Sequence, residues 1–188
     1  MLEFLKQVDF AAFHYINGLW RSDAANQYFI FFRTPSNWIP LYLILLFYIL
    51  YTYKKESWRL ILCLIITVSI SDSTSSHIIK NTFRRIRPCS EPELAGKVIN
   101  IVPCGVGYSF TSSHAANHFA LAAALSLTLF RRKKYLQVAL LFWAGCVAYG
   151  QVYCGVHYPF DVLGGALLGL GIAFLLNKFL YIRLLRQR

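Results

Sequence analysis

Apolar residues fall in long runs along this chain, and five of them approach the length of a membrane-crossing helix: Asn37 to Tyr53, Trp58 to Ile79, Ser112 to Phe130, Leu136 to Tyr153 and Val162 to Phe179. A bilayer-spanning helix needs ~20 such residues. A span in lipid must satisfy its own backbone hydrogen bonds, so all five are predicted helices. Residues 2–20 differ. They set Phe4, Leu5, Phe10, Phe13, Ile16 and Leu19 among Lys6, Asp9 and Asn17, the pattern of an amphipathic helix lying in the membrane interface. Arg33 and Pro35 then break the YFIFF stretch, so residues 1–33 read as an interfacial segment ahead of the first span.

Composition points the same way. The chain has 188 residues, room for one domain over 1–188, and it is 57% apolar but only 14% charged. Soluble domains carry about 25% charged residues, so a soluble or disordered class is excluded. The expected fold is an all-α membrane bundle of five transmembrane helices plus the interfacial helix. A net charge of +11 would suggest nucleic acid in a soluble protein. In a membrane protein Lys and Arg gather in cytoplasmic loops instead, and no nucleic-acid partner is expected. The N-terminus has neither a basic n-region nor a small-residue cleavage site, so no cleavable signal is expected.

Five spans divide the connections between two faces. One carries Lys54, Lys55, Arg59, Arg131 to Lys134, Lys178, Arg183, Arg186 and Arg188, which is 11 of the 19 Lys and Arg. The positive-inside rule makes that face, with the C-terminus, cytoplasmic. The loop 80–111, the start of the third span and the HYPFD segment then share the extracytoplasmic face. Small residues, Gly165 and Gly169 with Ala120, Ala122, Ala123 and Ala124, suit close helix packing. Five cysteines cannot all pair within one chain. Cys63, Cys146 and Cys154 read as small apolar residues. Cys89 and Cys104 share the outer loop, either as two thiols or as a disulfide that an oxidising compartment permits.

Three polar clusters interrupt the apolar chain: Lys80 to Pro88, Thr111-Ser112-Ser113-His114, and Gly150 to Asp161. Ionisable groups at membrane depth are costly and mark function by default. Lys80 offers a point charge, and Arg87 a fork that fits phosphate oxygens. Ser112 and Ser113 open a helix whose free N–H groups attract anions. Together they describe a phosphate cradle. Asp161 follows His157 by four residues, and Pro159 suits the first helical turn between them. A carboxylate on one imidazole nitrogen fixes the tautomer and leaves the other nitrogen to attack. His114 is then the acid that protonates a departing alkoxide. His118, one turn after His114, gives an HxxxH pair without a third ligand at helical spacing, so no metal is expected. Asp72 and His77 suit supporting roles, and His14 the interface.

These clusters resemble the three-part signature of the type 2 phosphatidic acid phosphatase superfamily, which also contains the vanadium haloperoxidases. Lys80 to Pro88 matches K-x6-R-P, residues 111–114 stand where the family has P-S-G-H, and residues 150–161 match S-R-x5-H-x3-D at His157 and Asp161. The resemblance implies a lipid phosphatase without metal or cofactor, working through a phosphohistidine. In that scheme His157 is the nucleophile, Asp161 its orienting carboxylate and His114 the acid. Lys80, Arg87, Ser112 and the Ser113 amide hold the phosphoryl oxygens. Its implied partners are the bilayer and a lipid phosphate of undecaprenyl diphosphate, phosphatidylglycerophosphate, lipid A or phosphatidic acid type. Thr111, Ser113 and Gly150 depart from the pattern, and so does Gln151, a neutral donor where the family has a phosphate-binding Arg. Arg84 or Arg85 is the expected source of the missing cation. The alternatives are a lipid-phosphate binder or transporter that has lost turnover, and vanadate-dependent peroxidase chemistry, which the spans disfavour.

Overall fold

Eight α-helices, with no strand among the described residues, build the protein in the computed structural model, which describes residues 2–18 and 21–181. Leu19, Arg183, Arg186 and Arg188, used above for amphipathicity and topology, lie outside them. Helix α1 spans Leu2–Gly18 and α2 Asp23–Arg33. The Ser22 side chain caps α2 by accepting from the Ala25 N–H at 3.1 Å. The N-terminal segment is therefore two helices. After Thr34, Pro35 opens a single tight turn, and α3 runs Ile39–Tyr53. A turn at Lys54–Glu56 reverses the chain into α4, Ser57–Ser73. Helix α4 passes through a wide π-type turn at Thr74–Ile79 into the short α5, Lys80–Phe83. Helices α6 (Ser113–Leu127), α7 (Lys134–Tyr153) and α8 (Pro159–Leu176) follow, and a second π-type turn covers Asn177–Tyr181.

Helix α6 is the axis of the bundle, with α4, α7 and α8 packed around it. Its alanines at 115, 116, 120, 122, 123 and 124 are all buried. Their small size brings neighbouring backbones close. On α8 the matching positions are glycines. A Cβ added at Gly169 would lie 2.1 Å from the Ala116 carbonyl oxygen, and one at Gly165 would lie 2.5 Å from that of Ser112. On the α7 side α6 meets a larger core of Leu125, Phe130, Leu140, Trp143 and Val147, against which Phe32, Trp38 and Tyr42 pack.

The outer faces are apolar. Ile44 and Phe47 on α3, Ile65 on α4, Val138 and Phe142 on α7, and Leu167 and Phe174 on α8 are all exposed. Among the described residues three helical stretches have the length and apolarity to cross a membrane: residues 35–94, which include the α3–α4 hairpin, Lys134–Tyr153 and Pro159–Phe179. A soluble protein rarely exposes so much apolar surface, and lipid is its natural solvent; this is an integral membrane protein. Helix α6 has 15 residues and is mostly buried among its neighbours.

Helix α1 docks by an unexpected face. Its apolar Phe4, Leu5, Val8 and Tyr15 are exposed, while Asp9, Phe13 and Asn17, spaced four apart, are buried. The Asn17 amide donates to the carbonyls of Tyr153 (2.9 Å) and Ile99 (3.0 Å) and accepts from the Ile99 N–H (2.9 Å). Polar pairing by Asp9 and Asn17, together with the packing of Phe10, Phe13 and Ile16 against Leu94, Val152 and Tyr158, holds α1 to the bundle.

The glycine contacts yield a paired test. Gly169→Ala forces a methyl into the α6 backbone and is expected to cost about 1–3 kcal/mol. Gly171→Ala meets nothing within 4 Å. It is expected to be neutral or to stabilise by up to ~1 kcal/mol through helix propensity. Thermal unfolding in one detergent checks both; equal Tm values for the two variants would refute the close α6–α8 contact.

Candidate active site

The three polar clusters meet at one end of the bundle, and local structure explains how each is presented. The π-type turn at Thr74–Ile79 swings Ser75 and Ser76 toward the start of α6. There Ser75 Oγ bonds Thr111 Oγ1 and Ser113 Oγ, each at 3.0 Å, and Ser76 Oγ bonds Ser113 Oγ at 2.9 Å. Ser112 caps α6, its Oγ accepting from the Ala115 N–H, and its own N–H donates to the Asp161 carbonyl at 3.0 Å. That bond ties the N-termini of α6 and α8 together. Gly155, at φ +84, turns the chain between α7 and His157. A Cβ there would lie 2.7 Å from Asn100 Oδ1.

His157 is buried, at 2% exposure, with its two ring nitrogens in different surroundings. Nδ1 lies 3.4 Å from Asp161 Oδ2 and 3.3 Å from Ser109 Oγ. Nε2 lies 3.2 Å from Arg87 Nη1. A guanidinium can only donate, so Nε2 accepts and the ring proton sits on Nδ1, toward Asp161. Burial holds the imidazole down to a pKa of about 4; Asp161 opposes this, and the positive charges of Arg87 and Lys80 reinforce it. His157 is therefore neutral at pH 7.

Asp161 is fully buried. Its Oδ2 accepts from Ser109 Oγ and, at 2.9 Å, from the Tyr158 N–H, completing a capping box at the start of α8. Its Oδ1 accepts from Arg85 Nη1 at 2.8 Å. The same Arg85 fork donates through Nη2 to Asp9 at 2.6 Å, and its guanidinium lies 3.9 Å from the centre of the Tyr158 ring. Burial opposes the Arg85 charge, but Asp161 and Asp9 outweigh it and push the pKa up.

Arg87 is held by three carbonyls: Val156 at 3.0 Å, Gly107 at 3.1 Å and Val106 at 3.4 Å. The disulfide Cys89–Cys104 closes the loop between Arg87 and two of these acceptors. Cys63 and Cys154 are buried and Cys146 half-buried. Lys80, half-buried, makes no ion pair among the described residues. His114, on the first turn of α6, lies within electrostatic range of His157, Lys80 and Arg33.

The structure therefore gathers Lys80, Arg87, Ser112, Ser113, His114, Gln151, His157 and Asp161. It differs from the sequence expectation at the missing cation. Arg85 is committed to Asp9 and Asp161, and Arg84 is exposed at the left-handed end of α5 with its Nε on the Asn81 carbonyl. Gln151 instead meets Arg33, whose Nε and Nη2 both lie 3.4 Å from its Oε1. Asp9, Ser109 and Arg33 were not singled out as site residues from the sequence. Only the spacing of Asp9 and Asn17 with Phe13 on α1 carried a signal. His118 turns away from the cluster: its Nδ1 donates to the His114 carbonyl at 2.8 Å, and its Nε2 faces Tyr42. Asp72 accepts from Asn117 Nδ2 at 2.8 Å, His77 is exposed, and His14 packs edge-on against Phe13.

Chemically this is an anion site. The Asp161 carboxylate shares the Arg85 guanidinium with Asp9, Lys80 and Arg87 place two further cations by a neutral imidazole, and a helix N-terminus adds partial positive charge. Comparison with known proteins agrees. The chain is 31% identical over 175 residues to the lipid A 4'-phosphatase of Bacteroides thetaiotaomicron, covering 90% of this chain and 75% of that one. It is 28% identical over 187 residues to the lipid A 4'-phosphatase of Porphyromonas gingivalis, covering 97% and 77%. The crystal structure of Aquifex aeolicus LpxE superposes with a TM-score of 0.70 at 25% identity, over 92% of this chain and 96% of that one. The PAP2 superfamily model matches residues 56–184. The chain thus belongs to the PAP2 superfamily and is a membrane phosphoric ester hydrolase.

Proposed function

We propose that the protein crosses the membrane five times, through α3, α4–α5, α6, α7 and α8, as one domain over residues 1–188. In this reading it removes phosphate from a bilayer-anchored lipid through a phosphohistidine, with the active site on the periplasmic face of a bacterial inner membrane and the C-terminus in the cytoplasm. The Cys89–Cys104 disulfide supports the outward placement of the 80–111 loop, because such bonds persist in oxidising compartments. The exposed apolar residues of α1 then meet the headgroup region. A lipid A-type phosphomonoester is the leading substrate, supported by two relatives named for that activity whose alignments cover 90% and 97% of the chain.

One observation carries the mechanism: Nε2 of a neutral His157 points at Arg87 while Nδ1–H points at Asp161. When substrate enters, Arg87 transfers its donor to a phosphoryl oxygen and the Nε2 lone pair attacks phosphorus. The N–P bond forms as the P–O bond to the lipid breaks, and His114, which takes up a proton when the negative phosphate enters beside it, gives that proton to the leaving oxygen. Asp161 supports the positive imidazole ring so formed. Lys80, Arg87, Ser112, the Ser113 N–H and Gln151 stabilise charge on the phosphoryl oxygens. Water, deprotonated by the now neutral His114, then cleaves the N–P bond, releasing phosphate and restoring both histidines.

Three outcomes are expected. Purified protein in detergent with EDTA releases phosphate from a panel of lipid phosphates and diphosphates, lipid A best, and His157→Ala loses at least about 10³-fold in kcat. Lipid-phosphate binding without release by wild type would instead indicate a binder. Next, Lys80 lowers the His157 pKa, so Lys80→Met raises it and moves the acid limb of kcat/KM upward from about pH 4. A pH profile whose limb stays in place or moves down contradicts the assignment. Finally, Ser109→Ala removes one charge-assisted bond to Asp161, worth ~1.5 kcal/mol. That corresponds to about a tenfold drop in kcat with KM unchanged, read from saturation curves.

A further inference from the structure

Position 151 presents a chemical problem that the family signature leaves unsolved: a phosphate site has lost a cation there. Three observations bear on it. Gln151 is buried, its Oε1 is taken by Arg33, and its Nε2 has no hydrogen-bond partner. The half-buried Arg33 forms no ion pair among the described residues, and its Nη1 donates to none of them. An unneutralised guanidinium beside an unused amide donor is costly unless both await an anion. Arg33 also lies in the field of the site, since burial lowers the Arg87 pKa and the Arg33 charge lowers it further.

The second departure, Gly150, fits the same account. A Cβ at position 150 would lie 3.2 Å from the Phe29 carbonyl oxygen and 3.6 Å from Arg33 Cβ. Glycine therefore lets the end of α2 settle directly on α7. Phe29 completes the seat, its ring centroid 5.0 Å from that of Tyr149 and 4.3 Å from that of Tyr153. Arg33 is the last residue of α2, so this docking fixes where its guanidinium stands.

We infer that Arg33, delivered by α2 and oriented by Gln151, is the phosphoryl-binding cation that replaces the missing Arg at position 151, with Gln151 Nε2 as a second donor to the same oxygens. Arg33 lies outside residues 56–184, which match the family model, so the cradle is completed by the N-terminal segment. The inference rests on the phosphatase reading above and makes α2 part of the site.

The experiment uses full-length protein in detergent and two readouts: phosphate release from lipid A, and calorimetric binding of orthovanadate as a phosphoryl mimic. Wild type, His157→Ala, Arg33→Gln, Arg33→Lys and the double variant Arg33→Gln with Gln151→Arg are compared. Arg33→Gln is expected to lose about 10²-fold in kcat/KM, as for removal of one transition-state donor, and to bind vanadate correspondingly less. Arg33→Lys keeps the charge and loses less. The double variant restores the cation from the α7 side and recovers to within about tenfold of wild type. It decides the matter even if Arg33→Gln alone fails to elute as a single species. Wild-type kcat/KM and vanadate affinity in Arg33→Gln would overturn the inference. A folded double variant that recovers neither turnover nor vanadate binding would do the same. If wild type releases no phosphate, or His157→Ala retains full activity, the phosphatase mechanism fails instead. Vanadate binding still judges Arg33 in that case.

Discussion

The buried carboxylate of Asp161 is the constraint around which this end of the molecule is arranged. An ionised carboxylate taken out of solvent costs several kcal/mol unless every lone pair is met and its charge is balanced. Here Arg85 balances the charge, and Ser109, the Tyr158 N–H and the His157 ring meet the oxygens. Those partners come from the loop after α5, the segment before α6 and the turn into α8. The backbone carbonyl of Asp161 also receives the Ser112 N–H. Satisfying one anion therefore fixes the positions of the proposed nucleophile, of the helix N-terminus beside it, and of Arg85. Arg85 in turn reaches Asp9, which accepts from the Phe160 N–H, and so draws α1 onto the site.

Close packing supplies the rigidity that such a network needs. Because α8 meets α6 through glycine against backbone, small shifts between them are resisted by atoms already in contact. The two helix N-termini that carry Ser112 and Asp161 thus hold their spacing without help from long side chains. On the other side of the site the restraint is a covalent one. The Cys89–Cys104 bond gathers the loop so that carbonyls just beyond Cys104 hold Arg87 against His157.

The N-terminal helices have a larger part than their interfacial character suggests. Helix α1 contributes Asp9, which holds the other side of the Arg85 fork behind Asp161, and α2 carries Arg33 to Gln151. Both contacts are polar. An apolar contact would compete with lipid, which solvates apolar surface as well as protein does; a buried hydrogen bond has no such competitor. This accounts for the burial of Asp9 and Asn17 on either side of Phe13, on a helix that leaves Phe4 and Tyr15 exposed.

Much was legible in the sequence because it is local. Apolar runs mark helices wherever lipid or core is the solvent, which located α3, α4, α7 and α8 to within a few residues and gave α6 its start. The spacings Lys80 to Arg87 and His157 to Asp161 survive folding as loop and helix-turn geometry, so the family could be read from them. The two paired cysteines were visible as a possibility, since both lay in one loop. What sequence alone did not decide was which charges pair across the chain. Arg85 was read as a spare cation; its contacts with Asp9 and Asp161 span 76 positions each. Arg33 lies 118 positions from Gln151 and was read only as a break before the first span. Hydropathy reports which solvent a residue prefers, not which partner it meets. That choice was made only in the tertiary structure, where the docking of α1 and α2 set which side chains came within a few ångströms of each other.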